Sequence, residues 1–240
     1  MRPSMAGLMV AICTAVMVCG WSGTADAQDT IIVPGFERGK QHNGLLIRLA
    51  AGMGGSMAVA THDGDGPSVD VNGFVPPGSL INGAIGGSIA DDLILHASFG
   101  TAVLYGPKTK VGGTTIGDEI TDDLTVSTVF IGPGLTYYIM PANVYLSGSV
   151  GLGVFSWDQG GSSSMTLPYA ARSDEEAVGL SWSAMVGKEW WVGPEWGIGF
   201  AAMVFGGSAT YEDEGSGPYD LTQTTWSFVS YGLLFSATYN

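Results

Sequence analysis

The segment Val178–Tyr211, with the sequence VGLSWSAMVGKEWWVGPEWGIGFAAMVFGGSATY, decides how the rest of the chain is interpreted. Bulky apolar residues occupy every second position on both sides of a central Gly193-Pro194 pair, and mostly small or polar residues lie between them. The apolar positions are Val178, Leu180, Trp182, Ala184 and Val186 before the turn, and Trp196, Ile198, Phe200, Ala202 and Val204 after it. Alternation with a period of two is typical of a β-strand, and a Gly-Pro pair is typical of a turn. The segment is therefore predicted to be a β-hairpin with one apolar face.

The same alternation recurs along the chain, in residues 43–60, 79–90, 93–105, 124–139, 144–157 and 225–240. Four long polar segments (61–78, 106–123, 158–177 and 212–224) alternate with short turns at Asp91-Asp92, Met140–Asn143 and Gly193-Pro194. An even strand number, with both termini on the side of the short turns, is typical of bacterial outer-membrane barrels. The sequence predicts an all-β fold over residues 43–240, an eight-stranded antiparallel up-and-down transmembrane β-barrel. Glycine and proline at Gly132-Pro133-Gly134 predict a bulge in the fourth strand.

The composition favours strands that cross lipid. Only 12% of the residues are charged although 45% are hydrophobic, and no apolar run beyond the first twenty residues approaches the length of a spanning helix. A soluble lipocalin-like barrel is the alternative, but it would need a wetted exterior. Neither strand face carries enough charge for that, and the inward face is expected to be mostly Gly, Ala and Ser.

The amino terminus predicts export. Arg2, the apolar stretch 6–18 and Ala25-Asp26-Ala27 follow the pattern of a secretory signal peptide, covering residues 1–27. Residues 28–42 are then a short periplasmic tail. A lipoprotein anchored through Cys19 is the alternative. Both cysteines of the chain, Cys13 and Cys19, lie in the segment to be removed, so a mature chain has no thiol chemistry.

The formal net charge of −14 argues against nucleic-acid binding, which needs basic surfaces. Fifteen of the 22 acidic residues lie in the four long segments, so one end of the barrel is expected to be strongly negative. Asp63-Gly64-Asp65-Gly66 resembles the start of a calcium loop, but Phe74 stands where that loop needs a bidentate glutamate. Weak divalent-cation binding by the clustered acids is the most that this pattern predicts, and no resident metal or cofactor is expected.

The chain resembles the small eight-stranded outer-membrane barrels of the OmpA and OmpX type. The resemblance covers residues 43–240 and rests on the signal peptide, the alternation of long and short connections, and the final strand. That strand is similar to the assembly signal of such proteins through Gly232, Phe235 and Tyr239, although here Asn240 follows the last aromatic residue. The resemblance implies a monomer in the bacterial outer membrane with both termini in the periplasm. It also implies contact with outer-membrane lipid and lipopolysaccharide, and insertion by the barrel-assembly machinery.

Three ionisable residues are predicted to face the lumen near the short-turn end: Arg48, His96 and Glu189. Charges enclosed in a narrow barrel need partners, so we expect an ion pair between Arg48 and Glu189 with His96 nearby. A self-satisfied polar plug is the favoured interpretation, and a gated proton or ion path is the alternative.

Tryptophans grouped at a turn are typical of an aromatic girdle at a bilayer interface. The predicted girdle consists of Trp190, Trp191, Trp196 and Tyr239. Lys188 lies on the predicted lipid face and is expected at the rim beside Trp190, because a lysine in mid-bilayer costs about 2 to 4 kcal/mol.

The predicted function is that of a non-catalytic barrel that serves envelope structure or surface interaction. A narrow pore is one alternative. The other is a lipid A-modifying enzyme, because His96-Ala97-Ser98 places a base and a hydroxyl on one strand face.

Overall fold

The computed structural model describes residues 42–62, 67–115, 124–159, 176–211 and 223–240. The predicted signal peptide, the tail up to residue 41, the calcium-like turn and most of the acidic positions lie outside these ranges. The described ranges contain no helix that is both long and apolar enough to cross a membrane. Their strands are β1 Leu45–His62, β2 Val69–Ala90, β3 Leu93–Tyr105, β4 Lys108–Val111, β5 Thr114–Thr115, β6 Leu124–Ile139, β7 Val144–Gln159, β8 Glu176–Trp191, β9 Trp196–Tyr211 and β10 Thr224–Tyr239.

Eight of these strands, all except β4 and β5, form a closed antiparallel barrel in the order β1-β10-β9-β8-β7-β6-β3-β2. The first and last strands close it, with pairs running from Ile47↔Tyr239 to His62↔Thr224. On its other edge β1 pairs with β2, which completes the ring. The predicted fold class is confirmed.

Side chains alternate between the two sides of the barrel wall. In β1, Leu46, Arg48 and Ala50 are buried inside, while Leu45, Ile47 and Leu49 are exposed outside. The same holds for the hairpin β8–β9, where Glu189 is buried and Trp190, Trp196 and Phe200 are exposed. The predicted faces of these strands are therefore those that the structure shows.

The second strand begins ten residues earlier than predicted, at Val69. The sequence predicts a loop at Pro76-Pro77-Gly78, but these residues form a bulge within β2. Between the pairs Gly52↔Leu80 and Gly54↔Val75, β1 advances two residues and β2 advances five. The bulge changes which residues of β2 face the interior. Odd-numbered residues such as Val75 face inward before the bulge, and even-numbered residues such as Leu80 face inward after it.

The bulge predicted at Gly132-Pro133-Gly134 is wrong, because the register of β6 is the same on both sides of this segment. Gly132 instead allows β6 and β7 to lie close together. A Cβ on Gly132 would lie 2.0 Å from the carbonyl oxygen of Val150 on β7.

The predicted loop 106–123 contains the short hairpin β4–β5. Gly112 and Gly113 form its turn with φ of 55° and 82°, a conformation that favours glycine. The hairpin continues the barrel wall, since β4 pairs with Val69–Asn72 of β2. The loops predicted at 158–177 and 212–224 are also shorter than expected, because Asp158 and Glu176 lie in β7 and β8 and β10 begins at Thr224.

The interior is not mostly Gly, Ala and Ser as predicted. Large buried side chains fill it, among them Phe130, Phe155, Phe205, Trp226 and Phe228. Small residues on other strands make the space: a Cβ on Gly153 of β7 or on Gly207 of β9 would lie 3.2 or 3.0 Å from the Phe228 ring of β10. The alternation within one strand predicts where the small inward residues lie. It does not predict that a large ring from another strand packs over them.

Glycines also set the spacing at the closing seam. A Cβ on Gly52 would lie 1.9 Å from the carbonyl oxygen of Leu233 on β10, and one on Gly232 would lie 2.2 Å from that of Met53. Gly232, predicted as part of the assembly signal, therefore has a packing role in the closed barrel.

We expect Gly52→Ala to destabilise the barrel by about 1 to 3 kcal/mol, because the new methyl group forces β1 and β10 apart. Gly148→Ala is the matched control, since its Cβ would meet only an ordinary contact at 3.9 Å. The urea midpoint of unfolding in lipid, followed by gel mobility, measures both. Equal midpoints for the two variants would contradict this role for Gly52.

Candidate functional site

The three predicted lumen residues lie inside the barrel near its short-turn end. Arg48 on β1, His96 on β3 and Glu189 on β8 are 2%, 3% and 1% exposed. They come from separate strands of the wall and have different direct partners, although Arg48 and His96 both contact Ser147.

Glu189 is held by hydroxyl groups. Thr238 on β10 donates a hydrogen bond to Oε1 at 2.6 Å, and Tyr138 on β6 donates to Oε2 at 3.4 Å. Gly197 and Gly199 on the adjacent β9 leave room for the side chain, because a Cβ on either would lie within 3.3 Å of a Glu189 side-chain atom.

Arg48 turns toward β7 and does not pair with Glu189. Its Nη2 donates to Ser147 Oγ at 3.1 Å, and the guanidinium carbon lies 4.6 Å from the ring centroid of Tyr145. Its Nε and Nη1 have no hydrogen-bond partner among the described residues. The predicted direct ion pair is thus not formed, because Thr238 and Tyr138 occupy the carboxylate and Tyr145 attracts the guanidinium through its ring face. The two charges still share one enclosed region.

His96 contacts hydroxyls rather than the serine that the sequence suggested. Its Nε2 is 2.9 Å from Thr136 Oγ1 and 3.4 Å from Ser147 Oγ. Ser98 instead donates to the carbonyl of Gly83 at 3.4 Å. A serine nucleophile needs its base within hydrogen-bond reach, and this pair does not have that geometry. Through Ser147, His96 belongs to the same network as Arg48.

His42 closes the short-turn end of the lumen, which the sequence analysis missed. The imidazole stacks on Tyr138 at 3.5 Å and on Trp191 at 4.9 Å between ring centroids. Its Nε2 hydrogen-bonds to Asn143 Oδ1 at 2.7 Å, its backbone amide donates to Asp92 Oδ1 at 3.1 Å, and its Nδ1 contacts the amide of Asn240. These partners come from the end of β6, the Asp91-Asp92 turn, the 140–143 turn, the end of β8 and residue 240, so His42 contacts all of these segments at once. We call His42 with these contacts the mouth plug.

Trp191 belongs to the mouth plug, so its assignment to the girdle is wrong. It has the inward parity of Glu189, two residues before it, and is half-buried. Trp190 and Trp196 face outward and are about half exposed, and Tyr239 packs edge-on against Trp196 at 5.5 Å. Lys188 lies at the rim as predicted, with Nζ 2.5 Å from the carbonyl of Ala142 and 5.5 Å from the Trp190 ring centroid.

A group of aromatic side chains fills the lumen toward the long-connection end, opposite the mouth plug. Phe155 stacks on Trp226 at 4.6 Å and packs against Phe228 at 6.0 Å, and Trp157 contacts Trp226 at 5.6 Å. We call this group the aromatic layer. In the described ranges, no group of three or more His, Cys, Asp or Glu side chains is placed to hold a metal ion.

No protein-family model matches the chain, and no curated protein matches it in sequence. Among solved structures, its fold is similar to that of the outer membrane protein OprG from Pseudomonas aeruginosa, at 11% identity and a TM-score of 0.46 over 84% of this chain and 98% of that one. It is also similar to a major outer membrane protein from Thermus thermophilus, at 15% identity and a TM-score of 0.48 over 82% and 98% of the two chains. Neisserial surface protein A is a third, at 14% identity and a TM-score of 0.41 over 81% and 96%. At these identities the likeness concerns the fold alone.

We expect the mouth plug to weaken in acid. Burial lowers the pKa of His42 from its ordinary 6.5, and the hydrogen bond to Asn143 and the charge of Asp92 offset this only in part. A lowered histidine pKa means that the unfolded chain binds the extra proton more readily, so stability is complete above about pH 6.5 and falls as the pH drops below it.

The measurement is the free energy of unfolding in lipid at pH 7.5 and pH 5, for the wild type and for His42→Gln. The variant removes the titrating ring, so the loss on acidification should be smaller. An identical loss in both proteins would contradict the assignment.

Proposed function

We propose that the chain is an integral outer-membrane protein with a closed lumen and no catalytic role, which serves envelope structure or surface interaction through its acidic end. The observation that carries the proposal is the combination of an apolar exterior with an interior filled by side chains. The fold itself is a β-barrel of the outer-membrane kind.

The exterior has the properties of a lipid-facing surface. Large apolar side chains are exposed on all eight barrel strands, for example Leu49, Ile85, Leu95, Leu135, Leu152, Leu180, Phe200 and Leu233. They run from Leu95 to Tyr105 in β3 and from Ile131 to Ile139 in β6. These lengths are close to the roughly 9 to 11 residues with which a tilted strand crosses an apolar band of about 25 Å. A soluble lipocalin-like barrel would have a wetted exterior here, so this surface favours lipid.

The orientation follows from the connections. Trp190, Trp196 and Tyr239 lie outside at the short-turn end, where an interfacial aromatic belt is expected, and Lys188 is beside them. Short turns and both barrel termini belong to the periplasmic side in bacterial barrels. The long connections, which hold most of the acidic residues, then face outward. Because one chain closes the ring, a monomer is sufficient.

The filled lumen favours a closed barrel over a pore. The polar network and the mouth plug occupy the periplasmic end, and the aromatic layer occupies the other. An eight-stranded barrel is just wide enough for such side chains to fill. The separation of Ser98 from His96 gives no support to a lipid-modifying enzyme.

We expect the purified wild-type protein to give no unitary conductance steps in a planar bilayer. Glu189→Ala should also give none, because the aromatic layer stays in place when the carboxylate is removed. Glu195→Ala is the matched control, since it removes the same charge from an exposed turn.

Steps in the wild type would favour the pore. Steps that arise in Glu189→Ala but not in Glu195→Ala would favour a gate at the polar network. Either result would contradict the closed lumen.

A further inference from the structure

A groove of about 480 Å³ lies on the barrel wall between the outer half of β2 and the end of β3. Phe74 and Pro76 line it from β2, Tyr105 from β3, and Lys108 from the start of β4. None of these residues takes part in the lumen network.

The groove exists because β2 changes partner beside the bulge. Residues 80–90 of β2 pair with β3, and residues 69–72 pair with β4. The stretch 73–79 between these two ladders has no strand partner on this side. The barrel wall is therefore indented at this point.

The floor of the groove is aromatic and faces outward. Phe74 and Tyr105 are 61% and 62% exposed. A strand tilted by about 40° advances about 2.5 Å per residue along the barrel axis, so Tyr105 lies about 30 Å above Leu93 at the periplasmic turn. That height is just beyond an apolar band of about 25 Å, at the level of the headgroups of the outer leaflet.

The charge beside the groove is unusual for this chain, whose formal net charge is −14. The described basic residues are Arg48, which is buried in the lumen, Lys188 at the opposite rim, and Lys108 and Lys110 on β4. Lys110 stands opposite Asp70 on β2, whereas Lys108 stands opposite Asn72. Lys108 is therefore the cation that a ligand in the groove would meet.

We propose that this groove binds a phosphorylated lipid of the outer leaflet, with the part of an acyl chain next to the headgroup against Phe74 and Tyr105 and the phosphate at Lys108. The proposal rests on the proposed function, because it needs the barrel to be in a membrane with the long connections outward. An aromatic floor below a cation matches an amphiphile with an anionic headgroup. Neither the aromatic floor nor the cation alone would distinguish such an amphiphile from other ligands.

Titration of the folded full-length protein with diphosphoryl lipid A, followed by native mass spectrometry, tests the proposal. The wild type should form a one-to-one complex. Lys108→Gln should weaken it about fivefold, the usual effect of one basic residue near an anionic lipid surface. Lys110→Gln is the matched control on the same short strand, and it should change the affinity by less than about twofold, because Asp70 already offsets its charge. Phe74→Ala should also weaken binding, because it removes apolar contact.

Three results would overturn the proposal. One is an equal loss in both lysine variants, which would indicate diffuse attraction rather than a groove. Another is no loss in Lys108→Gln. The third is displacement of lipid A by millimolar inorganic phosphate, which would indicate a site for free phosphate. The gel mobility of unheated samples reports the folded barrel separately, so failure of the proposed function would appear there and failure of the groove in the titration.

Discussion

The structure depends on one constraint: in lipid, each backbone amide and carbonyl must find its partner within the protein. A sheet satisfies this only when its first and last strands pair, and here β1 pairs with β10 along its length, from residue 47 to residue 62. Closure in turn fixes an inside and an outside, so the period-two alternation of each strand becomes a lipid face and a lumen face. The apolar exterior, the enclosed charges and the position of the tryptophans all follow from that ring.

A ring of eight strands leaves a narrow interior, and the side chains must fit it closely. Glycines provide the local space, at the seam for Gly52 and Gly232 and in the lumen for the Phe228 ring. The polar network obeys the same limit. Arg48 and Glu189 are enclosed, yet each is stabilised by different neighbours, Tyr145 with Ser147 and Thr238 with Tyr138. Buried charges of this kind tolerate the loss of a partner poorly, so they favour one arrangement of the wall.

Much of the fold could be predicted because alternation is local: the predicted bounds of β3 and β6 match the structure to the residue, and the inward positions of Arg48, His96 and Glu189 follow from strand parity alone. The features that sequence reasoning missed depend on residues far apart in the chain. His42 precedes the first alternating segment, and its partners Asp92, Asn143 and Asn240 belong to separate turns and the terminus, so no local pattern marks it. Proline usually ends a strand, which is why the sequence predicts a loop where Pro76-Pro77-Gly78 forms a bulge. The aromatic layer has no local signal either, because glycines on other strands provide the space for the Phe228 ring.

The central claim, a lipid-facing exterior around a closed interior, is tested most directly by single-cysteine spin labelling along β10 in lipid bilayers. The chain has no cysteine beyond residue 27, so in protein produced from residue 28 onward each label reports one site. Labels at Leu233 and Phe235 should be accessible to oxygen, which dissolves in lipid, and those at Leu234 and Ser236 should be protected from both oxygen and a water-soluble nickel reagent. High accessibility of 234 and 236 to the nickel reagent would contradict the closed interior, and high accessibility of 233 and 235 to it would contradict the membrane-facing exterior.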